Sequence, residues 1–305
     1  MTRARVAPAI VAVLVAAACV FLSRAWPLAA AAEDRLADLR AAAFAPHLPA
    51  QHPRVALVLV TEETLADLPY RSPVDRGLIA AAVSALGDLG VAGLGIDILF
   101  DRASEPEKDA ALVAALKAFP APVVLASAGA ADGLAPAQTA YLDSFIAATG
   151  ANHAVPALQV DPDGAVRRWS GGAAGFAATL AGESGRVPEA DARIAFLGPP
   201  EDGADVFAQL PIHALPALAA LNRAALEAAL KGKIVLLGAD LPGIDRHRTP
   251  LAARAGAAAD MAGVEIHAHM LGQVLDGRRV GEAGPAAAAA LILVLALLGV
   301  LLAHW

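Results

Sequence analysis

The sequence predicts an α/β domain: a mostly parallel sheet with flanking helices and one inserted β-hairpin, bracketed by N- and C-terminal transmembrane helices. Three observations carry this. Short apolar runs, Val55 to Val60, Val91 to Phe100, Pro122 to Ala126 and Ile234 to Leu237, alternate with stretches of helical period, as expected of strands buried on both faces and joined by crossover helices. Asp161-Pro162-Asp163-Gly164 separates Val155–Val160 from Ala165–Trp169. Proline second and glycine fourth suit a type I turn, hence a hairpin. Both chain ends are apolar and almost free of charge.

The ends bound the domain. Val6 to Leu22 is a run of about 17 residues, near the lower limit for a membrane-spanning helix. Arg3 and Arg5 precede it and Trp26 follows, placing its start in the cytoplasm and Trp26 at the far interface. The first span is therefore drawn over 6–26. Ala29 to Ala32 offers the rival reading of a cleaved signal peptide, against which Arg24 and Pro27 interrupt the usual tail. Residues 33–53 read as a linker: Glu33 to Arg40 is a charged, Ala-rich stalk, and Pro46, Pro49 and Pro53 break any helix. The folded domain covers 54–280. Pro285 opens the second span, 285–303, in which Ala286 to Ala303 carries no charge and covers about 27 Å at helical rise. Arg278 and Arg279 run against the positive-inside tendency for this orientation. Ala12 with Ala16, and Ala286 with Ala290, offer small-residue faces on which a homodimer could pack.

Within the domain, Val55 to Val60 is the first strand and Val74 to Leu89 an amphipathic crossover helix, with Leu78, Ile79, Val83 and Leu86 as its stripe. Val91 to Phe100 follows as the second strand, parallel to the first through a right-handed crossover. Ser104 with Glu107 resembles a capping box, ahead of a helix that buries Leu112, Val113, Leu116 and Phe119. Ala135 to Ala148 and Pro216 to Leu230 read as helices, Arg193 to Leu197 as a strand, and Gly171 to Gly175 as a link to a short helix. After Ile234 to Leu237, Gly263 opens a helix whose apolar stripe is Val264, His267, Ala268, Leu271 and Leu275. Glu265, His269, Gln273 and Asp276 fall on or near its other face.

Composition excludes several functions. The 305 residues carry a net charge of −7 and 57% hydrophobic residues, with mean hydropathy +0.56. A nucleic-acid partner is not expected, since no basic stripe with interleaved aromatics exists. The single cysteine, Cys19, lies in an apolar end, so the fold needs no disulfide. Neither a G-x-S-x-G elbow nor a P-loop lysine is present, and Gly93-x-Gly95 precedes Asp97 rather than a helix. No cofactor is expected.

The polar residues gather just past strand ends, where ligands of open α/β sheets sit. Glu62, Asp97, Asp101, Asp240 and Asp245 are carboxylates inside or just after strands; together they could hold a cationic ligand, or cap helices and pair with Arg76 and Arg246. For Asp97, flanked by Ile96 and Ile98, a structural ion pair is favoured over a ligand. Glu265-x-His267-x-His269 would converge on a strand; on a helix Glu265 and His269 share a face and His267 turns inward, a core histidine bonded to a carboxylate or carbonyl near the strand ends. That arrangement falls short of a metal's three or four ligands, so none is expected. Asp245-Arg246-His247-Arg248-Thr249-Pro250 either binds an anion or is held by internal ion pairs. Asp161-Pro162-Asp163-Gly164 lacks the glutamate of a calcium loop. The candidate ligand-binding set is Glu62, Asp97, Asp240, Asp245, Arg246, His247, Glu265 and His267.

GKIVLLGADLPGIDRHRTPL followed by GVEIHAHMLGQVLDGR resembles the C-terminal signature of the type-2 CHASE domain. VALVLVTEETLADL, RSPVDRGLIAAAVSALGDLGVAGLGIDILFD and DPDGAVRRW agree in order across Arg54 to Arg279. That resemblance implies a retained N-terminal anchor and an extracellular sensor in the bacterial inner membrane, its main domain periplasmic. Such a sensor takes an unknown small-molecule or environmental signal and regulates a cytoplasmic cyclase or kinase that lies outside this sequence, the chain itself being no enzyme. The alternatives are a membrane-tethered, metal-dependent periplasmic hydrolase and an envelope scaffold.

Overall fold

The computed structural model describes residues 11, 13–18, 21, 27–66, 68–255, 260–281 and 284–303. The chain divides into two compact units, Met1–Arg40 with Val280–Trp305, and Ala41–Arg279. In chain order the elements are α1 (Pro27–Ala43), β1 (Val55–Val60), α2 (Glu62–Ala66), α3 (Arg76–Asp88), β2 (Gly93–Asp97), α4 (Pro106–Ala118), β3 (Val123–Ala126), α5 (Pro136–Thr149), β4 (Asn152–Ala154), β5 (Gln159–Val160), β6 (Val166–Arg168), α6 (Phe176–Ala181), β7 (Ala208–Pro211), α7 (Leu215–Leu221), α8 (Arg223–Leu230), β8 (Ile234–Ala239), β9 (Arg246–His247), α9 (Ala252–Ala255), β10 (Met261–Ala262), α10 (Gly263–Asp276) and α11 (Pro285–Ala303).

Six strands form one sheet in the order β4-β3-β2-β8-β1-β7, every pairing in it parallel. All six residues of β1 are buried, and alternate ones face opposite layers, as the pleat requires. Ala56, Val58 and Val60 pack with Ile79, Val83 and Leu86 of α3, Leu112 and Leu116 of α4 and Leu142 and Phe145 of α5. Val55, Leu57 and Leu59 pack instead with Trp169, Phe176 and the apolar residues of α10. The domain is thus a three-layer sandwich, and the expected α/β class holds.

The crossovers from β1 to β4 run through the first layer, whereas the chain leaving β8 passes to α10 in the second. Adjacent strands β2, β8 and β1 therefore send their connections to opposite faces. That is a topological switch point, and in open α/β sheets ligands bind in the crevice outside the carboxyl ends of the strands at such a point, here the end of β8.

Several local expectations change. Strands β4 and β7 were not expected; β4 has three residues and β7 ends in proline, too short and irregular to show a period. Arg193 to Leu197 forms no strand. Its Ala195 and Leu197 N–H groups go to side chains of α10, Gln273 Oε1 (2.8 Å) and His269 Nδ1 (3.3 Å), rather than to a neighbouring strand. The helix over 216–230 splits at Asn222, whose side chain caps α8 by accepting from the Ala225 N–H (3.1 Å). Ser104 and Glu107 form no capping box: α4 starts at Pro106, and the Ser104 N–H donates to Asp109 (3.1 Å). The hairpin forms, β5 pairing antiparallel with β6; Asp161 and Asp163 accept from buried Arg167 (2.8 and 2.7 Å), so this turn is an internal ion-pair knot.

Neither membrane span is established. Among the described residues no helix is long and apolar enough to cross a membrane. Most of the Val6 to Leu22 run lies outside the described residues, and α11 matches the second apolar run in extent.

The polar face expected of α10 is a surface only toward its ends, where Glu265 is half-buried and Asp276 exposed. His269 and Gln273 are buried with the apolar stripe, and Gln273 Oε1 accepts from both Trp169 Nε1 (3.0 Å) and Ala195 N. Gln273→Leu would strand two buried donors and is expected to destabilise the protein by about 2–5 kcal/mol. The check is a lower midpoint in urea unfolding at unchanged slope.

Candidate functional site

The crevice is built where α10 starts on top of β8. A Cβ at Gly238 would stand 2.7 Å from Val264 Cβ, so glycine lets the first turn close onto the strand. A Cβ on Gly263 would collide with the Asp245 carboxylate, whose backbone carbonyl accepts the Gly263 N–H (2.9 Å). Asp245 has φ 49°, a left-handed conformation that aspartate tolerates better than most residues. The polar loop after β8 is pinned as the short ladder β9–β10.

Glu265 and His267 are two positions apart and thus point about 200° from each other around the helix. They divide the candidate residues between two sides. On one side Asp97 ends β2, paired in register with Gly238, and Asp245 is the charge that acts on it. His247 donates to Asp245 (2.9 Å), and the charges of Asp245 and His247 both reach His267. On the other side Arg246 pairs with Asp240 and donates to the Asp260 carbonyl, while Asp240, Asp205 and Arg246 act on Glu265.

Asp97 does not have the ion pair expected of it. It is half-buried, with no hydrogen bond or ion pair among the described residues. The arginines that could have served it are committed: Arg246 to Asp240, and Arg76 to Asp109 (2.8 Å), Tyr141 (2.9 Å) and the Arg102 carbonyl. Burial, reinforced by Asp245, raises the Asp97 carboxyl to about 7. Glu265, also half-buried and without a hydrogen-bond partner among the described residues, is raised to about 7 by burial first and then by Asp240 and Asp205.

His267 is the core histidine expected. Its Nε2 donates to the carbonyl of Pro156 (2.9 Å), two residues beyond β4, and burial lowers it to about 4. His269 does not join Glu265: it lies between the Phe196 and Phe207 rings (5.2 and 4.9 Å between centroids), and burial lowers it to about 3. Glu62 stays apart, its exposed carboxylate paired with Arg71 (2.7 Å). Asp101 pairs with Arg102 (3.2 Å) and accepts from Gln138. Asp205 was missed, because it precedes a strand that the sequence did not announce. Among the described residues no group of three or more His, Cys, Asp or Glu could hold a metal ion.

The assembled site is two half-buried carboxyls that titrate near neutrality on either side of a helix start, with the nearby arginine already paired. It can take up protons or hydrogen-bond donors at neutral pH. A carboxyl whose folded-state value lies above its unfolded value near 4 favours folding most at low pH, and loses that contribution as pH rises through about 7. Asp97→Asn is therefore expected to flatten the decline in unfolding free energy between pH 4 and 8. Carbon-13 titration of wild-type carboxyls should show midpoints near 7 for Asp97 and Glu265.

The domain is a parallel α/β sandwich whose polar residues gather at its switch point, beyond the carboxyl end of β8. The family comparison is specific: the CHASE2 domain model matches residues 11–303, and the chain belongs to the CHASE2 family, a family of sensory domains. No curated protein and no solved structure matched the chain.

Proposed function

We propose that this chain is the periplasmic signal-input domain of a bacterial inner-membrane receptor, regulating a cytoplasmic cyclase or kinase. The observation that carries the reading is CHASE2 family membership across nearly the whole chain. The crevice at β8 supports it, since two carboxyls without partners among the described residues stand where α/β sheets receive ligands. In the sequence, the uncharged run from Ala286 to Ala303 and the apolar run from Val6 to Leu22 are what support a membrane location. In this reading a small molecule or proton uptake at Asp97, Asp245, Glu265 and their neighbours favours one conformation of the domain. The signal acts only through its differential affinity for the two states. A second copy would pack through the small-residue faces of the apolar ends.

Two experiments test this. Alkaline phosphatase inserted in the Asp163–Gly164 turn is expected to be active in cells, and a cytosolic reporter there inactive; the reverse pattern removes the periplasmic assignment. A thermal-shift screen of the 305-residue chain in detergent is expected to find a compound, or a pH step, that stabilises wild type. At 100-fold excess over Kd a bound compound contributes about 2.7 kcal/mol. The Asp97→Asn/Glu265→Gln variant should lose that response.

A further inference from the structure

The other end of α10 carries a second charged knot. The Asp276 carboxylate accepts from Arg54 Nη2 (3.0 Å), His52 Nε2 (3.1 Å) and Arg278 Nε (3.1 Å). His52 and Arg54 belong to the stretch that leads into β1; Arg278 belongs to the turn by which the chain leaves α10. One side chain thus ties the incoming and outgoing chain of the domain together.

The ties run deeper than a surface ion pair. His52 is fully buried beside the Phe207 ring. Its Nδ1 accepts the Arg54 N–H (3.2 Å), so its Nε2 carries the proton given to Asp276. The His52 N–H holds the Val206 carbonyl (2.7 Å), and Arg278 holds the Ala195 carbonyl. Farther back, Gly198 N and Glu201 N donate to the carbonyls of Pro46 and Leu48 (3.0 and 3.1 Å). The incoming loop, the 195–206 segment and the end of α10 therefore form one bonded set. Burial works to raise the Asp276 carboxyl, but the hydrogen bonds from Arg54, His52 and Arg278 bring it below its ordinary value. It remains an anion at neutral pH.

We propose that Asp276 is a latch that fastens both connections of the domain to α10, so that this helix is the rigid link between the β8 crevice and the two ends of the domain. At its start, α10 touches the crevice through Gly263 against Asp245 and Val264 against Gly238. Its 14 residues span about 21 Å to Asp276. A shift of the first turn cannot be absorbed by flexing, because the helix is buried almost throughout. The latch stands on contacts alone; only the relay of a signal along α10 rests on the sensory reading.

Amide hydrogen exchange on the 305-residue chain in detergent micelles tests both parts. Asp276→Asn is expected to raise exchange about 10-fold or more around residues 46–54 and 195–206, with β1, β2 and β8 unchanged, while Asp276→Glu stays close to wild type. No local rise, or an equal rise across the sheet, overturns the latch. Gly263→Ala pushes the first turn of α10 off Asp245. It is expected to alter exchange around His52 and Arg54, and to lose that distant effect when combined with Asp276→Asn. An unaltered far end in Gly263→Ala overturns the relay. These measurements use no ligand, so their failure is separable from failure of the sensory reading, which the compound screen decides.

Discussion

A helix surrounded by protein has to find partners inside the protein for every polar side chain it carries, and α10 imposes that requirement on this fold. His267, His269 and Gln273 are all buried on it. Leaving one buried donor or acceptor unmet costs about 1–3 kcal/mol, comparable to burying a large apolar side chain. The surrounding chain is arranged to avoid most of that cost. The carbonyl of Pro156, the indole of Trp169 and the N–H groups of Ala195 and Leu197 all turn toward α10. The 193–197 segment is shared: the Ile194 N–H goes to the Arg167 carbonyl of β6 (2.9 Å), while the Ala195 and Leu197 N–H groups go to the helix.

The same economy explains the opposite layer. Arg76 is almost fully buried, paired with Asp109 and lying 5.2–5.6 Å from the ring centroids of Phe100, Tyr141 and Phe145. The rings and the carboxylate offset part of what this guanidinium loses by leaving water, although its Nε is buried with no partner among the described residues. Asp75 beside it caps α3 through the Leu78 N–H (3.0 Å) and binds Lys108 (2.6 Å). With Arg76 and Arg246 both occupied, Asp97 is left at the crevice with no cation among the described residues. Its raised affinity for protons follows first from its burial and then from the neighbouring Asp245 charge.

The crevice and the Asp276 knot lie at the two ends of one helix. Near the crevice carboxyls keep free capacity, and at the knot every oxygen of the carboxylate has a donor. In the proposed relay, a displacement at the first end would be passed along the buried helix to the fastened one. Family membership makes that arrangement relevant to signalling, since CHASE2 domains are sensory.

The all-apolar period of β1 and β8, the stripe of α3 and the Asp-Pro-Asp-Gly turn sufficed to determine the α/β class, the β1–α3–β2 unit and the hairpin, because burial on both sheet faces and turn chemistry are local demands. The gathering of Asp97, Asp240, Asp245, Arg246, His247, Glu265 and His267 near β8 was legible for the same reason: strand ends are where such loops must lie. The separation of Glu265 from an inward-turned His267 was legible too, from helical spacing, whereas Glu62's departure to Arg71, Asp97's lack of a counter-ion and the burial of His269 were not. Those depend on what arrives from far along the chain, such as β7 bringing Asp205 to Glu265, or Asp109 reaching Arg76 first. Local pattern determined which elements form; competition among distant partners for a few buried charges decided how the site is wired.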